Sequence, residues 1–174
     1  MKEIVALSTK TITIERNEFV KQAGSVDTNI YFIQSGSVKI YVINDNDEQI
    51  IRLGYKGSLI ASLDSFFTQK PSIFFIQALK KSVIKVITSA QLNSFLREGN
   101  NGLLWNAILE DLVLQQIERE IDLLTSSPKE RFQRVLKRSP QLFQEIPNRY
   151  IANYLRMSAE TLSRLKSLDF NQDL

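Results

Sequence analysis

Glu160 and Arg164 stand four residues apart in Ser158-Ala159-Glu160-Thr161-Leu162-Ser163-Arg164-Leu165-Lys166, so on a helix they share one face, with Ser163 beside them. Leu162 and Leu165 fall on the other side. Ser158 is a favoured N-cap residue. A helix divided in this way hides its leucines and offers a carboxylate, a hydroxyl and a guanidinium from its first two turns. Those groups suit the edges of base pairs: an arginine can donate a bidentate pair to guanine O6 and N7, and a glutamate can accept from cytosine N4. Ser158, Thr161 and Lys166 are better placed for phosphates, helped by the partial positive charge of the helix N-terminus.

Such a helix needs a neighbour to hold it. Pro147 opens Asn148-Arg149-Tyr150-Ile151-Ala152-Asn153-Tyr154-Leu155, a helix of about two turns, and Arg156-Met157 follows as a turn. Ala152 is the small residue that two steeply crossing helices require at closest approach. Ile151, Leu155, Leu162 and Leu165 are expected to pack between the helices, with Met157 plugging the turn. The pattern is that of a helix-turn-helix with a non-glycine turn. Upstream, Ser127-Pro128-Lys129-Glu130 is a helix start, with Ser as N-cap and Pro at the first helical position. That helix carries Phe132, Val135 and Leu136. A short segment, Gln141–Glu145, then leads to Ile146-Pro147.

Before these comes a long helix at 103–125, with Trp105, Leu109, Leu112, Val113, Ile117, Ile121 and Leu124 at three- and four-residue spacing. Leu103, Leu104, Ala107 and Ile108 widen its apolar surface near the start. Two readings fit: a helix packed on its own domain, or a homodimer helix. Gly99 and Gly102 mark a break before it, and Thr88-Ser89-Ala90-Gln91 is a capping box opening a short helix.

From Thr11 to Ile87 the pattern has period two. Strands are expected at Thr11–Ile14, Ile30–Ile33, Val38–Ile43, Gln49–Leu53, Ile73–Ala78 and Val83–Ile87. Turns are expected at Ser35-Gly36, Asn44–Asp47 and Gly54–Gly57. In Val38–Val42 residues 38, 40 and 42 share one face, as in a half-buried strand. Many short strands with no intervening helices favour a sandwich or barrel.

The 174 residues include no cysteine and no histidine. This removes disulfides, thiolate metal sites, haem and cluster ligands, Ser-His-Asp hydrolysis and metal-dependent chemistry on a cupin-like β-roll. An enzyme is not expected, and neither is a metal or cofactor: carboxylates alone could still hold a hard cation, but no EF-hand spacing is present. No span of a membrane and no signal peptide is legible, so a cytoplasmic location is expected. Residues 1–125 hold 13 Lys/Arg against 14 Asp/Glu, whereas residues 126–174 hold 9 against 5. A basic end behind a near-neutral front fits a polyanion-binding module attached to another domain.

Taken in order, these segments resemble the Crp–Fnr family of bacterial regulators over roughly residues 10–168. The resemblance is most specific in Ser127–Phe132, Arg138-Ser139-Pro140, Ile146–Leu155 and Ser158–Arg164. It implies an α+β chain in three parts. These are a β-roll of the cyclic-nucleotide-binding type (a double-stranded β-helix) at 1–98, a dimerisation helix at 99–125, and a helix-turn-helix domain at 126–174. It implies a homodimer bound to double-stranded DNA, with RNA polymerase a further candidate partner. Glu160 and Arg164 match the family's base-reading acid and arginine. Its other arginine is Ala159 here.

The resemblance also places an effector pocket at Gly57, Ser58, Leu59, Ile60, Ser72 and Ile73. Members that bind cyclic AMP hold its ribose with a glutamate and its phosphate with an arginine. Here Ser58 stands where the glutamate belongs, and Lys70-Pro71-Ser72-Ile73-Phe74 has no arginine. Lys70 and Arg52 are the nearby cations, both outside the motif. Cyclic AMP is therefore not expected to bind in the usual way. Phe66, Phe67, Phe74 and Phe75 are either core or the lining of an apolar effector pocket. A competing reading makes the chain a ligand- or protein-binding signalling module whose helix-turn-helix is structural.

Overall fold

The computed structural model describes residues 1–170, with side chains to residue 168. The last four residues of the expected C-terminal domain lie outside that range. A short helix α1 (Lys2–Ala6) precedes six strands: β1 (Lys10–Ile14), β2 (Phe19–Lys21), β3 (Ile30–Asn44), β4 (Asp47–Tyr55), β5 (Leu59–Ile60) and β6 (Phe75–Ile87). Helix α2 (Leu63–Thr68) lies between β5 and β6. Then come α3 (Ser89–Leu96), α4 (Asn101–Leu124), α5 (Pro128–Arg138), α6 (Leu142–Glu145), α7 (Asn148–Tyr154) and α8 (Ala159–Phe170). The fold is α+β, an antiparallel β-roll followed by helices. The strands run in the order β1-β6-β3-β4, with β2 paired to β6 and β5 to β3.

Several expectations about the strands are corrected. Ser35-Gly36 is no turn: β3 runs through it, and β3 and β6 each join two of the expected strands into one. Gly36 has φ +91°, and a Cβ there would lie 2.2 Å from Ser82 Oγ and 2.5 Å from the Lys81 carbonyl. Only glycine allows the strands to approach so closely at this irregular point. Helix α2 also interrupts the strands, and α1 inserts Ile4 into the core, with no free surface left on that side chain. The turn at Asn44–Asp47 is present as read. Asp45 and Asn46 both have positive φ, as a two-residue hairpin loop demands.

Strand β3 is not half-buried. Val38 and Ile40 face an inner cluster with Ile33, Ile60, Ile76 and Ile84. Tyr41 faces a second cluster that continues through Ile50 and Leu53 of β4 into Phe132, Val135, Ile151, Leu155 and Leu162. The C-terminal helices therefore share a core with the outer face of the sheet. A bulge in β4 makes this possible: Tyr41 pairs with Ile50 but Ile40 with Arg52, leaving Ile51 extra. Alternation flips there. Ile50 points out to the helices, and Arg52 lies beside Ile40 on the inner side.

Two of the three expected N-caps are those of α3 and α5, and both form. Thr88 accepts from Gln91 N and Gln91 Oε1 accepts from Thr88 N, completing the capping box. Ser127 accepts from Glu130 N, with Pro128 at the first position of α5.

Candidate functional site

Helix α7 crosses α8 at Ala152, which is almost fully buried, and Ile151, Leu155, Leu162 and Leu165 close the space between and beneath them. Met157 packs on the same cluster, and its N–H donates to the Ala152 carbonyl at 3.0 Å. The turn depends on Arg156 at φ +54°, a left-handed residue without glycine's freedom. Arg131 of α5 holds it in place. Its Nε donates to the Leu155 carbonyl (3.0 Å) and its Nη2 to that of Arg156 (3.2 Å). Its Nη1 reaches Thr125 (2.6 Å) and Ser126 (3.2 Å) just past the end of α4. One buried cation thus satisfies the carbonyl ends of two helices, where the helix dipoles are negative. Nothing in the sequence separates Arg131 from its basic neighbours.

Of the expected nucleic-acid residues, Ser158 caps α8, accepting from Thr161 N at 3.2 Å, and its hydroxyl also lies 3.2 Å from that of Thr161. Lys166 donates to Asn148 Oδ1 at 3.1 Å. Glu160, Ser163 and Arg164 are exposed on one face, and the Arg164 guanidinium has no hydrogen-bond or ion-pair partner among the described residues. The Glu160 carboxyl is held below its ordinary pKa by its own backbone N–H and by the Ser158 hydroxyl. The C-terminal charge excess is partly consumed: Arg134 and Arg138 both pair with Glu118 and Asp122 of α4.

The α7–α8 pair is tied to the roll. Asn153 accepts from Ile50 N (3.0 Å) and donates to the Glu48 carbonyl (2.8 Å), so its amide pairs with the edge of β4 as a strand residue would. Tyr150 lies over Lys39, which is buried and ion-paired to Glu48. Lys80 pairs with Glu145 at 2.8 Å.

Helix α4 changes character along its length. Leu104, Trp105 and Ile108 pack on the roll beside Ile30, Ile87 and Leu92. Further on, the inward residues are Arg119 (5% exposed) and Asp122 (0%). Arg119 stacks on the Tyr154 ring at 3.7 Å and donates to the Tyr154 carbonyl. Val113 (58% exposed), Leu114 (62%), Ile117, Ile121 and Leu124 (84%) face solvent.

The roll holds a cavity of about 310 Å³ against α4. Of the six expected pocket residues, Leu59 and Ile60 line it. Gly57 and Ser58 line a wider cleft of about 830 Å³, which Leu59 and Ile60 also border, between the roll, α4 and the C-terminal helices. Ser72 and Ile73 line neither, and Ile73 is 67% exposed. Phe66 and Phe74 line the smaller cavity; Phe67 is exposed, and Phe75 stacks on Tyr41 at 5.0 Å. The polar side chains of the cassette are already engaged. Ser58 Oγ accepts from Tyr55 N (3.1 Å). Ser72 Oγ donates to Asp64 (2.8 Å) and accepts from Phe74 N (2.9 Å).

A family model described as cyclic nucleotide-binding domain matches residues 11–98, half of the chain. The chain belongs to that family. This cyclic nucleotide-binding domain protein has no match among curated proteins. Its fold is shared with solved structures. FixK2 from Bradyrhizobium japonicum aligns at TM-score 0.78 and 16% identity, over 94% of this chain and 85% of that one. The c-di-GMP responsive global regulator CLP from Xanthomonas campestris aligns at TM-score 0.66 and 16% identity, over 98% and 91%. The sensor domain of the transcriptional regulator DNR from Pseudomonas aeruginosa aligns at TM-score 0.55 and 22% identity, over 72% and 83%. These identities establish likeness of fold. Among the described residues of this family member, no helix is long and apolar enough to cross a membrane, and no cluster of acidic residues could hold a metal ion.

Proposed function

We propose that the protein is a DNA-binding transcription regulator of the Crp–Fnr type, acting as a homodimer on a near-palindromic operator. The observation that carries this is the outward face of α8, where Glu160, Ser163 and Arg164 stand exposed above buried Leu162 and Leu165. On this reading α7 and α8 form a helix-turn-helix, α8 enters the major groove by its N-terminal half, and Ser158, Thr161 and Lys166 lie towards phosphates. The exposed apolar row of α4 supports pairing of two copies along 103–125, which sets half-sites about one helical turn apart. Two proteins of the same fold, CLP and DNR, are described as regulators. RNA polymerase is the partner through which such a regulator would act.

The test is fluorescence anisotropy on duplexes selected from a random pool, at about 50 and 200 mM salt. Binding that weakens about a hundredfold or more between the two is expected. Absence of any selected duplex overturns the proposal. One observation favours the second reading, a signalling module with a structural helix pair: the Asn153 amide anchors α7 to β4. In that case Arg164→Ala would leave binding unchanged at every sequence.

The roll serves in this proposal as an effector domain that does not take cyclic AMP in the usual way. The Ser58 hydroxyl is used within its own turn and that of Ser72 by Asp64 and Phe74 N, and Asp64 adds a carboxylate to the cavity wall. A cyclic phosphodiester needs several donors beside its compensating charge, and these hydroxyls are already engaged. Calorimetric titration with cyclic AMP and cyclic GMP is expected to show no micromolar binding.

A further inference from the structure

The β4 bulge places Arg52 on the inner side of the roll, opposite Ile40. There it borders both the 310 Å³ cavity and the larger cleft. The rest of the smaller cavity is mostly apolar: Ile40, Leu59, Phe66, Phe74, Trp105 and Ile108 form much of its wall. Among the described residues, no group accepts a hydrogen bond from the Arg52 guanidinium or pairs with it as an ion. Burial pulls its pKa below the usual guanidinium value, and Tyr154 and Asp111 oppose that only through space. A half-buried cation without a counter-ion is costly, and it is stabilised by whatever anion can reach it.

We propose that this cavity binds a small amphipathic monocarboxylate, its apolar body between the roll and α4 and its carboxylate forked on Arg52. The proposal rests on reading the roll as an effector domain and names the class of effector. The volume lies at the lower end of ligand pockets, roughly 300–1,000 Å³, whose pattern is an apolar wall with few polar groups. Arginine matches a carboxylate in bidentate geometry. One charge is what a single cation compensates. A phosphate dianion would leave a second charge facing apolar walls and the Asp64 carboxylate, which is already bonded to Ser72 and Ile73 N. A cyclic phosphodiester, though a monoanion, would need further donors that the engaged Ser58 and Ser72 hydroxyls do not offer. The occupant would touch Trp105 and Ile108 of α4, and through Arg52 the cleft where Tyr154 of α7 lies. It would therefore bridge the roll, the long helix and the helix pair.

Trp105 is the single tryptophan of the chain and lines the cavity, so its fluorescence reports occupancy directly. The full chain is titrated with decanoate below its micelle concentration, and with decanol as the uncharged counterpart. A saturable change with decanoate is expected. Arg52→Gln is expected to weaken decanoate about tenfold or more while leaving decanol binding as in the wild type. Arg52→Lys, which keeps the charge but loses the fork, should fall between, and it carries the test if the glutamine variant fails to fold. No saturable change in the wild type, or equal decanoate affinity in folded Arg52 variants, overturns the proposal. Anisotropy on a selected duplex without acid is read in parallel. DNA binding with no decanoate binding sinks this proposal alone, and loss of both removes the regulator reading as well.

Discussion

In the second half of α4 the residues turned inward are Arg119 and Asp122, and those left in solvent are Val113, Leu114, Ile117, Ile121 and Leu124. In α8 the inward residues are Leu162 and Leu165, and the outward ones are Glu160, Ser163 and Arg164. The two helices thus divide their surfaces in opposite senses. A helix that buries its charges against its own chain and exposes its aliphatic side chains has its apolar driving force unspent. It needs another apolar surface. A helix that has spent its leucines internally and keeps a carboxylate and a guanidinium in water is prepared for a polar partner whose groups replace water one for one. The same chain so carries two surfaces of opposite chemistry, which the proposed function assigns to a second copy and to a nucleic acid.

The contrast breaks most severely at Asp122. Its carboxylate has no exposure and accepts from Arg134 at 3.0 Å and also from Arg138. Asp122→Ala removes the buried partner of both guanidinium groups and leaves them only the half-exposed Glu118. A loss of about 3–5 kcal/mol in folding stability is expected, measured by urea denaturation. A change under 1 kcal/mol would show that the buried charges of α4 do not hold α5.

The apolar side of the contrast is tested by Ile117→Glu combined with Ile121→Glu. Both positions are exposed in the single chain, so the protomer should keep its fold. Pairing along α4 should weaken by roughly 3 kcal/mol, about a hundredfold, because two carboxylates per chain would be buried on association. Sedimentation equilibrium reads this. Unchanged mass would place the dimer contact elsewhere.

The helices and their caps were largely legible in the sequence, because Ser127-Pro128 and Thr88–Gln91 act through local hydrogen bonds and the apolar spacing of α7 and α8 is short-range. The outward face of α8 was legible for the same reason. Three features were not. Gly36 has the local signature of a turn, and its role is decided by Lys81 and Ser82, some 45 residues away. Arg52 stands in the sequence only as a cation near the cassette; strict alternation puts it on the face of Ile50 until the bulge at Ile51 separates the two, and that bulge comes from register with β3. Arg119 and Asp122 look like the solvent side of an amphipathic helix. Their burial follows from Arg134, Arg138 and Tyr154, on elements the periodicity of α4 does not know.

On the polar side, Arg164→Ala is expected to cost about 1–3 kcal/mol at one base position and to relax preference there, without changing fold or dimer mass. Competition binding with operators altered one base pair at a time measures it. An equal loss at all sequences would make Arg164 a phosphate contact instead.

The smallest effect concerns Glu160, which on the proposed reading must be ionised to accept from a cytosine amino group. Its own backbone N–H and the Ser158 hydroxyl lower its pKa from the ordinary 4.5. A carboxyl with a depressed folded pKa stabilises the fold above the unfolded pKa, and that contribution fades as pH falls through the folded value. The charge on α8 should therefore persist at pH values where an unperturbed glutamate is half protonated. A carbon-detected NMR titration of Glu160 is expected to give a midpoint below 4.5. Ser158→Ala should move it upward by removing the hydroxyl that bonds the carboxylate while leaving the backbone N–H in place. A midpoint that does not move would mean that the N-terminal amide alone holds the carboxylate. Ser158 would then act on α8 only as its cap, and the polar face of α8 would be ordered by the helix itself.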